Sequence, residues 1–519
     1  MKDFKNLEDV LALTPLQEGM LFYYLQNPTG DRYVEQLTLE ISGEIDAVIF
    51  EKAWNIVVET NEMLRTVFRW KKMKYPLQVV LKAFHLKPIY HDLSGIKTSE
   101  KNKLAEEIKI NDRKKKFDLQ EVPFRVTLCK IEANKYQMIV SNHHILYDGW
   151  SNGIILKEFF NAYNDLAHKR TPIKPVKNKF KEYIRWIKNQ DKNEQEKFWN
   201  EYLRGFEGRA ELAVKTKRAK DTLDEKEGKA GVQHTEKHHA RLSRDNKNKI
   251  EEFVKKHKIT LAALFYSTWG ILLQKYNNSS DVLFGTTVSG RSAKLDGIED
   301  MVGLFINTLP MRVKSNPGKM VIDVLNQVNH ILQNREEYET TSLVDISEYS
   351  QLGNAGELFD SLVVIENYPL ELHLMTQDSE LSIDSYSMVE NTNYDLTVGI
   401  VVFDGIDMDF VYNRECFEPG IIKNLSGHFC RIMENIIKNP AKKVHEIEIL
   451  SEKEKQQLLV DFNDTAVDFH RDKTIHRLFT EQAEQSPDHV ALVGQITNYK
   501  LQITNKAEPF GQVLYAFGA

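Results

Sequence analysis

Ser141-Asn142-His143-His144-Ile145-Leu146-Tyr147-Asp148-Gly149-Trp150-Ser151 is the stretch that decides how this chain is read. Before it, Tyr136 to Val140 alternates as a strand does, with Met138 and Val140 on one face and Gln137 and Ile139 on the other. After it, Ile154, Ile155, Phe159, Phe160, Tyr163 and Leu166 recur at helical spacing, with Ser151 or Asn152 as the candidate N-cap. Two histidines therefore sit where a strand stops, and an Asp-Gly turn leads into a helix. Such strand ends hold side chains at the mouth of a cleft on a stiff backbone.

The spacing His-His-x-x-x-Asp-Gly suits acyl transfer. Imidazole titrates at about pH 6.5 and can take up a proton under neutral conditions. Asp148 is placed to pair with a charge and brace the loop. Gly149 allows a sharp turn or a close approach to a ligand. Two adjacent histidines alone are more often satisfied side chains beside a turn. The Asp-Gly-Trp-Ser continuation and the segments below weigh against that reading here.

Composition narrows the class. A chain of 519 residues is long enough for roughly two to four domains. Hydrophobic content of 41% with 28% charge is that of an ordinary globular protein. A net charge of −6 gives no general case for nucleic acid or an anionic membrane. Cys129, Cys416 and Cys430 are too scattered for a metal knot or a disulfide framework, which suits a reducing, cytoplasmic setting. Met1 to Val10 is charged and reads as no signal peptide. The apolar run from Leu261 to Leu273 is too short to cross a bilayer and reads as a buried helix.

Along the chain, Thr14 and Pro15 make an N-cap and N1 pair for a helix with Leu16, Met20, Leu21 and Tyr24 on one stripe. Tyr33 to Ile41 alternates as a strand. Ile45 to Glu62 is a helix facing inward through Ile49, Ala53, Trp54, Val57 and Val58. Arg65 then opens a strand and is a candidate bidentate partner for Asp148. Leu77 to Tyr90 reads as a strand pair. Glu100 to Lys116 is a charged helix whose basic last turn complements its dipole. Pro172 and Pro175 mark a linker between two lobes. In the second lobe, Val282 to Val288 leads to Ser289-Gly290-Arg291-Ser292, and Val302 to Val313 reads as one strand. Phe359 to Glu366 is a buried strand ending at Asn367-Tyr368-Pro369. Asp404-Gly405 turns a hairpin. The expected divisions are residues 1–175, 176–450, 451–493 and an unpatterned tail at 494–519.

These residues resemble the condensation domains of nonribosomal peptide synthetases. Leu13 to Leu25 looks like that family's first helix motif. Asn61 to Phe68 is similar to its Leu-Arg-Thr-x-Phe segment, and Asn142 to Ser151 to its active-site motif. Phe180 to Trp186, Val302 to Arg312 and Phe359 to Pro369 resemble later motifs. His470 to Val493 resembles the opening of an adenylation domain. Asn61 stands where the family usually has His, and Ser292 where it often has Pro. The adenylation likeness stops at once, so this chain is not expected to activate amino acids, being an excised piece or a truncated product.

The resemblance implies an α/β (α+β) fold of two chloramphenicol-acetyltransferase-like lobes in a V with a central tunnel. Donor and acceptor peptidyl carrier domains would dock at its two ends. Each would present a thioester on a phosphopantetheine arm, with no metal and no cofactor held by the chain itself. An adenylation domain would adjoin it in the parent synthetase. His144 would stand beside the reacting amine to orient it, accept its proton or hydrogen-bond the tetrahedral intermediate. His143 and Asp148 would support the site, Asp148 through Arg65, and Trp150 would support the loop. The Gly149 N–H would face an oxyanion, and Asn307 would line the tunnel. The start of the first helix motif looks more like domains that take a donor ending in a D-residue. An epimerization domain, a free-standing acyltransferase and a non-catalytic recruitment domain are the alternatives.

Overall fold

The computed structural model describes residues 6–26, 33–207, 212, 214, 235–352, 358–366, 381–390, 392, 394–466, 468, 472–487, 490–496 and 499–504. They fall into two compact units, residues 1–449 and 450–519. Asn367-Tyr368-Pro369, His470 and most of the charged stretch from Arg209 to His239 lie outside the described residues.

The larger unit opens with β1 (Leu7–Ala12), α1 (Pro15–Gln26), β2 (Val34–Ser42), α2 (Ala47–Thr60), β3 (Thr66–Arg69) and β4 (Leu77–Leu81). β5 (Ile89–Asp92), α3 (Thr98–Lys114), β6 (Phe124–Glu132), β7 (Lys135–His143) and α4 (Gly149–Ala167) follow. Next come α5 (Phe180–Lys188), α6 (Lys192–Leu203), β8 (Thr235–Leu242), α7 (Arg244–His257), α8 (Leu261–Asn277) and β9 (Asp281–Val288). β10 (Asn307–Lys314), α9 (Val321–Arg335), α10 (Leu343–Ser350), β11 (Ser361–Glu366), β12 (Ser382–Val389), β13 (Leu396–Val402), β14 (Ile406–Asn413) and α11 (Pro419–Lys438) complete it.

Two large sheets carry the unit. One runs β12-β2-β7-β6-β5 and the other β10-β9-β11-β13-β14-β8, with a small sheet β1-β4-β3 beside them. The helix expected at Ile45 to Glu62 forms because Asp46 caps it, accepting from the Val48 and Ile49 N–H groups. α2 and α4 cover the first sheet, and Trp54 stacks on Phe159 at 4.7 Å between ring centres. Truncating either ring to alanine would cost about 3–5 kcal/mol, since the walls of such a core relax only partly. In the second half α8 is buried on nearly every side, through Phe265, Trp269 and Leu272. It is a core helix, and among the described residues no helix is long and apolar enough to cross a membrane.

Four expectations change. Leu77 to Tyr90 is not one strand pair, because β4 joins the small sheet while β5 pairs parallel to β6. The chain does not divide cleanly near residue 175. Phe180, Tyr183 and Ile184 pack in the first core, and β12 returns from the second half to pair antiparallel with β2. The strand at Val302 to Val313 begins only at Asn307, because the backbone before it bonds to side chains of the histidine loop. Finally, the tail is patterned further than residue 493. In the smaller unit, α12 (Glu452–Leu459) and α13 (Ile475–Gln485) precede a hairpin of β15 (Val490–Ile496) and β16 (Tyr499–Thr504).

Candidate active site

β7 ends at His143, pinned on both sides: the His143 N–H donates to Pro123 O at 3.0 Å and the His144 N–H to Tyr33 O at 2.8 Å. The chain then turns through Ile145 to Tyr147, all fully buried, and starts α4. The N-cap is Asp148, earlier than Ser151 or Asn152, and its carboxylate accepts from the Ser151 N–H. A short charged cap wins here because it also meets the cation of the second half.

Asp148 is the junction of the two halves. Its Oδ1 accepts from the Ser151 hydroxyl at 2.9 Å and from Arg291 Nη2 at 3.2 Å. Its Oδ2 accepts from the Phe305 and Ile306 N–H groups at 3.0 and 3.3 Å. The Asp148 N–H in turn donates to Gly303 O at 3.1 Å. Arg291 also donates to Met301 O and lies over the Phe305 ring at 4.3 Å. Gly290 precedes it with φ +65°, and a Cβ there would meet Phe305 O at 1.8 Å. Only glycine fits that backbone.

Arg65 is therefore not the partner of Asp148. It is buried, but it bonds to Glu8 and to Leu81 O beside the small sheet. A guanidinium at the start of β3 takes the acceptors of the strand edges around it, β1 and β4, and Asp148 is already saturated by Arg291 and four N–H or O–H donors.

The two histidines differ sharply. His143 is buried between the rings of Tyr24 and Tyr33, its Nδ1 accepting from the Ile145 N–H at 3.2 Å. Burial, and then the charge of His144, push it down to about 3, so it is neutral. It lines no part of the cavity that His144 faces. The His144 ring has 18% of its surface exposed, and its Nδ1 lies 2.7 Å from Glu35 Oε1 and 3.0 Å from Tyr147 O. Both neighbours are acceptors, so Nδ1 carries a proton. Burial alone would lower the imidazole. The charge and hydrogen bond of Glu35, with Glu390 and Asp148 behind them, instead raise it to about 9. At neutral pH the ring is an imidazolium, and Nε2–H is the free end. Of the three roles expected for His144, accepting a proton from a free amine is the one this state disfavours.

His144 faces a cavity of about 640 Å³ walled by α1, by Glu35 and Tyr33, and by Asn307, Leu362 and Glu390 of the second half. A second cavity of about 790 Å³, with Asp148 and Trp150 in its wall, shares Thr287, Ile306 and Val364 with the first. The two spaces thus abut across those side chains. Asn307 lines the first cavity, and its amide ties to Glu339 O and Thr341 O at 2.8 and 2.7 Å. Trp150 donates to Glu299 O at 3.2 Å and edges the second cavity. Gly149 is the first residue of α4 and has no positive φ, so the sharp turn expected of it is not what it supplies, and it is not among the residues lining either cavity.

Sequence reasoning quoted Arg291 without a role and passed over Glu35 and Glu390. The Gly-Arg pair was the one local signal, since a glycine is where a chain can take the positive φ that Gly290 adopts before Arg291. Nothing local marks Glu35, whose strand is buried on both faces.

Among the described residues no group of three or more His, Cys, Asp or Glu is arranged to hold a metal ion. Residues 7–459 match the family model described as Condensation domain. The chain is 33% identical over 496 residues to bacitracin synthase 3 of Bacillus licheniformis, covering 94% of this chain and 8% of that protein. It is 34% identical over 504 residues to gramicidin S synthase 2 of Brevibacillus brevis, covering 95% of this chain and 11% of that protein. It thus spans a small part of each relative. The first condensation domain of the calcium-dependent antibiotic synthetase has the same fold, with a TM-score of 0.70 at 17% identity over 86% of this chain and 100% of that one. The mixed α/β architecture expected from the sequence is the one found, and the chain belongs to the condensation domain family.

Proposed function

We propose that this chain joins two acyl groups by an amide bond, both carried as thioesters on the phosphopantetheine arms of partner carrier domains. The acceptor's α-amine attacks the donor's thioester carbonyl, and the growing peptide moves to the acceptor. The observation that carries this reading is His144, held by Glu35 at the wall of a cavity that abuts a second one. Two adjoining spaces suit two arms that meet near one side chain.

The chemistry needs no acyl-enzyme. A thioester is an activated donor, and an α-amine with pKa about 7.7 is partly uncharged near neutrality. Holding the two in register supplies much of the rate, since oriented pairs reach effective molarities on the order of 10⁵ M or more. The imidazolium Nε2–H adds a donor for the oxyanion as the carbonyl carbon becomes tetrahedral. His143, neutral and buried, keeps the strand end in place. Asp148 and Arg291 lock the loop against the second half.

Two finer readings rest on motif likeness. Leu13 to Phe22 resembles domains whose donor ends in a D-residue. Residues 470–493 resemble the start of an adenylation domain, which would place such a domain beside this one in the parent synthetase.

The test is a mass measurement on intact carriers. The chain is mixed with a donor carrier bearing acetyl-D-alanyl or acetyl-L-alanyl and with acceptor carriers bearing small, aliphatic, aromatic or charged aminoacyl groups. The expected result is a gain of the donor acyl mass on one acceptor class, with faster transfer from the D-donor. No gain on any acceptor contradicts the reading, and racemisation of the donor without transfer favours epimerization.

A further inference from the structure

We propose that Glu390 is the group in this cavity that takes the proton from the attacking acceptor amine, an inference that rests on the amide-forming reading above. Three strand ends bring the parts together. β12 pairs with β2 in the register Met388↔Leu37 and Val389↔Gln36, so the next residue, Glu390, arrives across from Glu35. On its other side Glu35 is across from Asn142, two residues before His144. Glu390, Glu35 and His144 all line the same cavity.

The two carboxylates are not equivalent. Glu35 is fully employed, contacting His144 Nδ1 and accepting from Asn142 Nδ2 at 3.0 Å. Glu390 has no hydrogen bond or ion pair among the described residues, although it faces the cavity. Like charges directly across a strand pair are destabilising. An unpartnered carboxyl kept opposite another is a cost that a cationic visitor would repay. Burial first, then the charges of Glu35 and Glu366, hold the Glu390 carboxyl well above the usual carboxylate range, with His144 partly offsetting them. Its proton affinity is thereby raised above that of an ordinary carboxylate, the direction a general base working near neutral pH needs.

The division of labour follows. His144 already bears its proton and donates Nε2–H. The acceptor arrives as a primary ammonium and pairs with the Glu390 carboxylate. Glu390 takes one proton from the ammonium, and the lone pair this frees forms the C–N bond. The C–S bond breaks with its electron pair on sulfur, the thiolate takes up the second nitrogen proton, and Glu390 gives the first to water before the next round. One amide and one free thiol result, with one nitrogen proton on sulfur, one released to water and no other reactant required.

The test compares the 519-residue chain with Glu390→Gln in single-turnover transfer, using an aminoacyl acceptor carrier and an aminooxyacetyl acceptor carrier. The aminooxy nitrogen is uncharged at neutral pH and needs no base to unmask it. The expected result is a loss of about 10²-fold or more on the aminoacyl acceptor and little loss on the aminooxyacetyl one. Equal rates for both proteins on the aminoacyl acceptor overturn the proposal and leave the amide-forming reading standing. Equal losses on both acceptors overturn it too, because they describe a residue that only shapes the cavity. Absence of any amide from the parent chain removes both. Should Glu390→Gln melt well below the parent chain, Glu390→Asp decides: it keeps a carboxylate and is expected to outpace Glu390→Gln, and matching rates for the two variants refute the role.

Discussion

Asp148 and Arg291 form a buried ion pair at 3.2 Å across 143 residues of sequence, and this pair joins the histidine loop to the second half of the fold. Both side chains are almost fully buried, at 3% and 4% exposure. Removing one partner leaves the other charged and dry, so Asp148→Ala or Arg291→Ala should cost about 3–5 kcal/mol. Chemical denaturation of each variant checks this. In a double-mutant cycle Asp148 and Arg291 should couple strongly, whereas Asp148 and Arg65 should be additive. Coupling between Asp148 and Arg65 would restore the pairing that the sequence suggested.

Gly290 makes a separate prediction about the same junction. Its φ of +65° and the approach of Phe305 O leave no room for a Cβ. Gly290→Ala should lower the melting temperature and weaken transfer together, because Arg291 would be re-aimed. A variant with unchanged melting and activity would show that this turn is free to adjust.

Glu35 sets the charge of His144. Glu35→Gln removes the carboxylate that raises the imidazole to about 9, so the ring should titrate much lower. Nuclear magnetic resonance of ring-labelled histidine measures this directly. A His144 titration that ignores Glu35→Gln would mean that Tyr147 O, not Glu35, governs the ring.

The same two histidines fix a pH window for stability. His144 is raised from 6.5 to about 9, so its pairing with Glu35 contributes fully below pH 6.5 and is lost as pH rises through about 9. His143 is lowered from 6.5 to about 3, so the unfolded chain takes up a proton that the folded chain refuses, and stability falls as pH drops across that interval. Between them, stability should be greatest near pH 6.5. Denaturation of the parent chain and Glu35→Gln at pH 6 and above pH 9 separates the first effect. The difference between the two proteins should shrink at the higher pH, and a constant difference would contradict the pairing.

Local pattern made the strand end, α4 and the cap at Thr14 readable. Thr14 and Gln17 do bond to each other, Thr14 N–H to Gln17 Oε1 at 2.9 Å, as a capping pair should. What escaped the sequence are relations between distant segments. Arg65 and Arg291 are equally plausible partners for Asp148 in one dimension, and only the fold separates them. The return of β12 to the first sheet has the same cause, since Ser382 to Val389 looks like any strand and its partner lies more than three hundred residues earlier. Glu390 became visible only through that pairing. Gly149 misled for the opposite reason: a glycine after an Asp suggests a turn, but Asp148 caps a helix there.

The most direct test of His144 is single-round transfer between a loaded donor carrier and a loaded acceptor carrier, with the parent chain and with His144→Ala confirmed as folded by its melting temperature. His144→Ala should lose most amide formation while both thioesters remain intact on their arms. Full transfer by the folded His144→Ala chain would contradict a working role for that ring.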